Sequence, residues 1–298
     1  MSGFIPSSAD IPSLYRAAQA ASSSGQKRFL RATRLRLTLL MLAAIMSVAI
    51  WRVANIEISS ILSVTAFGGA LITGTYLALV RPERAWYEGR AVAESVKSLM
   101  WRYMAGGATF RASGSNNKLT VEQLFVHRCQ EVIQSCPELD LTPMEGPADE
   151  VTQRMIYVRS LPFIERREHY IRGRLEEQIR WYAQRSRFNR RSALVWMAGL
   201  LGLEFTGLVA AILRASGVFS IDILGVISAV AAGGIAWVQA KRYQALAAAY
   251  SVAYHELAMI RIGASSAVGE DVWESYVDAV EDAILRENNL WGASRPGV

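Results

Sequence analysis

One carboxylate interrupts an otherwise uncharged apolar run from Ala193 to Leu213 in this 298-residue chain. It is Glu204, about eleven residues into the run. A carboxyl group that deep in a bilayer is costly and is a functional-site hypothesis by default. Three readings stand. The group is protonated in an interhelical hydrogen bond; or it lines water, as a pore-lining or proton-sensing site; or the limits of the span lie elsewhere. A charged carboxylate facing lipid is excluded by its cost. The other reactive side chains form no constellation. His127, His169 and His255 fall on separate helical stretches with no paired-carboxylate pattern. Gly106-Gly107 is not followed by the Lys-Ser/Thr of a phosphate loop and reads as a helix C-cap. No nucleophile elbow or metal-ligand spacing is present. An enzyme is not expected, nor a metal or cofactor.

Cys129 and Cys136 lie seven apart on what reads as one helix, Val121 to Cys136. That separates them by roughly 10 Å along the axis, too far for an unstrained disulfide. They are expected as free thiols, which suits a reducing cytosol.

Small residues recur at helical spacing around Glu204. Ala198, Gly202, Thr206 and Ala210 are four apart, as are Gly225, Ala229 and Gly233; Gly68, Gly69 and Gly74 belong to an earlier run. Such stripes let helices approach closely in lipid. Packing within one hairpin and packing between subunits around a pore are both open. At 100° per residue, Gly202 and Thr206 lie 160 to 200° from Glu204, so stripe and carboxyl cannot share one interface.

The elements that carry these residues are apolar runs with basic flanks. Arg28, Arg31 and Arg34, with Lys27 and Arg36, precede Leu37 to Ile50. Ile58 to Val80 ends on Arg81-Pro82. Arg185, Arg187, Arg190 and Arg191 form a collar before Ala193, and Ile223 to Val238 ends on Lys241 and Arg242. A helix needs roughly 20 residues to cross the hydrocarbon core. The pattern predicts an all-α membrane protein of four transmembrane helices, in two antiparallel hairpins extended by long cytoplasmic helices. The positive-inside rule puts both termini in the cytoplasm and the tips near Asn55 and Ser216 outside. With 52% hydrophobic and 19% charged residues and a net charge of +6, the first partner is an anionic bilayer surface and not nucleic acid. The basic residues named above, together with Lys241 and Arg242, are the expected membrane-surface contacts.

Residues 1–25 are expected to be loosely ordered. After the first hairpin, Ala85, Gly89, Val92, Val96, Leu99 and Tyr103 form a heptad-like seam. After the second, Leu246, Tyr250, Ala253, Leu257 and Ile260 repeat it. Asn116–Thr120 reads as loop and cap, Ala148–Arg159 as a short helix, Phe163 to Leu213 as one helix of about 75 Å, and Glu270–Leu290 as a last helix with Trp273, Tyr276, Val280 and Ile284 on one face. No strand signal appears. The expected division is 26–110, a helical insert 111–161, and 162–298, the first and last being copies of one two-span unit.

The stretch Trp86-Tyr87-Glu88-Gly89-Arg90-Ala91-Val92-Ala93-Glu94-Ser95, with Lys97-Ser98, Trp101-Arg102-Tyr103 and the Gly-Gly-Ala-Thr-Phe tail, resembles the SLATT families. The stretch from Tyr170 through Gln178-Ile179-Arg180-Trp181-Tyr182 and Asn189 resembles another branch of the same group. The resemblance implies tandem two-span effector domains in a bacterial inner membrane. It further implies homo-oligomerisation into a channel or pore in a nucleotide-linked stress or antiviral system, with a nucleotide or protein as activator. A non-conducting scaffold that recruits a cytoplasmic partner is the alternative.

Overall fold

The computed structural model describes residues 10–48, 52–53, 56–111, 119–143, 148–217, 223–264, 267 and 269–293, without the side chains of 52, 53, 56 and 287–293. Asn55 and the loop expected from Asn116 lie outside or largely outside these residues. The chain divides into two compact units that each draw on both halves of the sequence. A core unit comprises Met1–Gly25, Arg84–Ser186 and Ala248–Val298; a span unit comprises Gln26–Glu83 and Arg187–Ala247.

Helix α1, Ser13–Val48, begins inside the segment expected to be loosely ordered. Its first turn is held from far along the chain: the Glu150 carboxylate accepts from the Ser13 hydroxyl and, at 3.2 Å, from the Leu14 N–H. A carboxylate at a helix N-terminus satisfies orphan donors and complements the dipole. Nothing in residues 1–25 announces that distant partner. Within the core unit α1 then packs on α3, Pro82–Ala105. Ser22 donates to the Trp86 carbonyl at 3.0 Å. Gly89 makes the approach possible, since a Cβ there would stand 2.7 Å from the Ser22 nitrogen.

The expected seam of α3 is present but broader. Gly89, Val92, Val96 and Tyr103 are buried, and so are Ala93, Met100, Trp101 and Met104. Gly106, at φ +74°, ends the helix, and the Gly107 N–H closes it on the Arg102 carbonyl at 2.8 Å, a left-handed C-cap that glycine adopts readily. Helix α4, Val121–Gln134, opens with a capping box of Thr120 and Gln123. It stops before Cys136, so the two cysteines do not share one helix. Helix α5, Gln153–Ser160, starts later than Ala148 because Thr152 supplies its cap.

The long helix from Phe163 runs to Ala215, 53 residues. It is α6, Phe163–Tyr170, a π-helical turn, Ile171–Leu175, and α7, Glu176–Ala215. Helix α9, Tyr243–Gly263, buries Tyr250, Ala253 and Leu257. Helix α10, Glu270–Ala293, buries Trp273, Val277, Val280 and Ile284. The core is aromatic: Tyr170 lies edge-on to Trp273 with centroids 5.6 Å apart, and Tyr103 packs against Phe110 and Phe125.

In the span unit, α2 covers Ile58–Val80 and α8 Ile223–Lys241. Each ends on a left-handed arginine, Arg81 at φ 45° and Arg242 at φ 52°. Positive φ is uncommon in a residue bearing a Cβ, so the two halves share one backbone device. On α1 and α2, Ala43 meets Ser63, Leu39 meets Gly69 and Arg36 meets Gly74, so numbers fall on one helix as they rise on the other. On α7 and α8, Leu200 meets Gly234 and Gly207 meets Ile227. A two-residue ladder, β1 Arg52–Val53 with β2 Ile56–Glu57, precedes α2. No strand was expected there, and two residues are too short to carry a period-2 pattern.

Among the described residues, three helices are long and apolar enough to cross a membrane: Ile58–Ala105, Phe163–Ala215 and Ile223–Gly263. Four were expected. Helix α1, the fourth, is described only to Val48, with twelve uncharged residues after Arg36, and the end of the expected run, to Ile50, lies outside the described residues.

Candidate functional site

In the span unit Glu204 lies exposed on α7. Its neighbours Leu201, Phe205 and Leu208 are more than half exposed as well. The contact with α8 is made by a different row, Trp196, Leu200 and Gly207, and Glu204 sits at its flank. Of the small-residue stripe, Ala198, Gly202 and Thr206 are exposed and Ala210 half-buried. Gly202 has no neighbour within 4 Å of a Cβ position. The stripe is thus open on the single chain.

The other small residues divide. Gly69 faces Leu39 at 3.1 Å and Gly74 faces the Arg36 side chain at 3.2 Å. Gly233 faces the Met41 sulfur at 3.2 Å, whereas Gly68 faces open space. Ala229 is half-buried and Gly225 exposed. Gly234, which the sequence reading did not single out, makes the closest approach, 2.8 Å to Leu200. Its spacing of nine from Gly225 falls outside the four-residue stripe that was searched for.

The basic residues lie at the surface. Arg28, Arg31, Arg34, Arg185, Arg187, Arg190 and Arg191 are exposed, and Lys241 and Arg242 are half-buried. Several rest on indoles: Arg34 and Lys241 each stand 5.2 Å from the Trp237 centroid, and Arg185 5.6 Å from that of Trp181. Tryptophan and basic side chains together are the usual furniture of a membrane interface.

The core unit holds a charged site that sequence reasoning missed. Arg174, in the π-helical turn, and Glu281, on α10, are both essentially fully buried. The guanidinium grips the carboxylate through two bonds, Nε to Oε1 at 2.9 Å and Nη2 to Oε2 at 2.7 Å. The Tyr170 hydroxyl donates a third, at 2.9 Å. Two parallel bonds of this kind fix orientation as well as charge. π-Helical turns occur often at functional sites, and this one carries Tyr170 and Arg174 at its start and within it. The signal was available, since Glu281 falls four after Val277 and three before Ile284, on the apolar stripe of α10.

The histidines are exposed on α4, α6 and α9; His127 approaches Glu131 at 3.6 Å. Cys129 is buried and its thiol is pushed up to about 12, by burial first and by Glu150 second. Among the described residues no group of three His, Cys, Asp or Glu side chains is arranged to hold a metal ion.

No curated protein and no solved structure matches the chain. Two family models do. Residues 12–167 match SMODS and SLOG-associating 2TM effector domain 3, and residues 170–291 match SMODS and SLOG-associating 2TM effector domain 1. The first match includes the segment expected to be an insert, and the boundary falls between Arg167 and Tyr170, ahead of the π-helical turn. With apolar helices of membrane-spanning length and matches over nearly its whole length, the chain belongs to the SLATT families, as two tandem two-transmembrane effector domains.

Proposed function

We propose that this protein is an oligomeric effector of the bacterial inner membrane that opens a channel or pore under control of its cytoplasmic helices. Four crossings in two hairpins, with both termini inside, fit the basic flanks. One observation carries the reading: Glu204 stands exposed in an apolar stretch, and the small residues Ala198, Gly202 and Thr206 on the opposite side of the helix are exposed as well. Lipid alone accounts for exposed leucines and phenylalanines. It does not accommodate a carboxylate, which needs a polar partner or water. Copies packed through Ala198, Gly202 and Thr206 would supply a subunit interface, with Glu204 at its far side facing water. A nucleotide or protein signal in a stress or antiviral system is the activator this reading calls for.

The test is mass photometry of the chain in nanodiscs with ion flux from liposomes. Glu204→Gln retains the oligomer but changes flux or its pH dependence. Gly202→Leu, at a position where an added Cβ meets no atom within 4 Å, breaks the oligomer. A monomer in nanodiscs, or flux indifferent to both Glu204→Gln and Glu204→Leu, would remove the pore reading.

A non-conducting scaffold is the second reading, favoured by α9. Its face opposite the core exposes Val252, Met259 and Ile262, each by about two-thirds or more. An apolar row of this kind on a helix of the core unit suits a protein partner. Flux would then be absent, and substitution of these three would release the partner without affecting insertion.

A further inference from the structure

Helices α1, α7 and α8 border an apolar groove of about 660 Å³, within the roughly 300–1,000 Å³ of ordinary ligand sites. Its walls are Leu37 and Met41 from α1, Trp196 and Leu200 from α7, and Val230 from α8. Gly199 keeps it open, with no atom within 4 Å of where its Cβ would stand. From Arg34 to Met41 the groove follows seven residues of helix, about 10 Å. One leaflet contributes roughly 15 Å of a hydrocarbon core of about 30 Å.

The hydroxyl of Thr38 in the groove's wall is taken up by the Arg34 carbonyl, and the charge of the groove is at one end. There the Arg34 guanidinium and the Lys241 ammonium both lie against the Trp237 ring. No ion pair among the described residues includes either cation. Two cations held together without a carboxylate, at the mouth of an apolar slot, complement a ligand with an anionic head and a hydrocarbon tail. We infer that the groove seats an acyl chain of an anionic phospholipid whose phosphate lies between Arg34 and Lys241. The inference needs the spans but not conduction.

The test uses the full chain in phosphatidylcholine vesicles doped with acyl-brominated phosphatidylglycerol, or with brominated phosphatidylcholine at equal mole fraction. Bromine quenches nearby indoles, and Trp196 and Trp237 wall the groove. A Trp196→Phe/Trp237→Phe variant gives the background of the remaining six of eight tryptophans. The groove signal should be half-quenched at a roughly thirtyfold lower fraction of the anionic lipid, as two basic groups at an anionic surface imply. Arg34→Gln/Lys241→Gln should abolish that preference, and Arg28→Gln/Arg31→Gln, with the same loss of charge, should keep it. Gly199→Leu, whose Cβ meets no atom within 4 Å, puts a side chain into the slot and should remove groove quenching by either lipid. Equal midpoints for the two lipids would overturn the inference. So would equal effects of the two double variants, or no quenching by any lipid, which would assign the groove to a helix of a second copy.

Discussion

Helices α1, α7 and α9 contribute to both units, yet the units solve the problem of polar groups in opposite ways. The core unit buries Arg174 and Glu281 against each other and surrounds them with aromatic rings. The span unit leaves Glu204 and most of its large apolar side chains on the surface. One pairs its buried charge within the chain; the other leaves its carboxyl and its large apolar side chains exposed. The lesson is that a charge can sit in an apolar stretch for two reasons, and only its partner tells them apart.

The largest effect that sharpens this contrast is removal of one buried charge. Glu281→Ala strands the Arg174 guanidinium and should destabilise the core unit by roughly 3–5 kcal/mol, whereas Arg174→Met/Glu281→Leu should recover most of that loss. Thermal unfolding of the detergent-solubilised chain reads both. A double variant no better than the single one would show that the ion pair, and not merely its neutrality, stabilises the fold.

Smaller, but in the same unit, is the approach of α1 to α3. Gly89→Ala drives a methyl group against the backbone at Ser22 and Ala18, and overpacking of this kind costs about 1–3 kcal/mol. If unfolding is unchanged in Gly89→Ala, the α1–α3 contact contributes nothing to stability. The smallest effect is chemical. The Cys129 thiol is raised from an ordinary 9 to about 12. A raised pKa contributes stability that is present below pH 9 and lost as pH climbs through about 12. Near pH 8 an alkylating reagent should therefore modify the half-buried Cys136 and spare Cys129 until the unit unfolds. Equal labelling of both would mean that the buried setting of Cys129 opens readily.

Much of this architecture was legible in the sequence. The seams of α3 and α9, the Gly106 cap, the Thr120 cap and the unbroken helix from Phe163 follow from period and local capping, which act over a few residues. What escaped acts at long range. The start of α1 depends on Glu150, and the core's ion pair joins residues 107 apart. For the site, Glu204 stood out by composition alone, but the small-residue stripe did not reveal which row packs within the chain. That row, Trp196, Leu200 and Gly207, mixes large and small residues and carries no compositional mark.

The separation between Arg174 and Glu281 also sets a timetable for biosynthesis. At roughly 5–20 residues per second, the ribosome delivers Glu281 about 5–20 s after Arg174. During that interval Lys241 has already been made, so every apolar helix of the span unit precedes the residue that neutralises the core. A nascent chain thus has its membrane segments in hand while Arg174 still lacks its counter-charge, and the core unit can close only once α10 arrives. Translation pauses or truncations between residues 242 and 281 should then accumulate chains that are inserted but unfolded outside the bilayer, a state in which premature assembly would be held back by the order of synthesis itself.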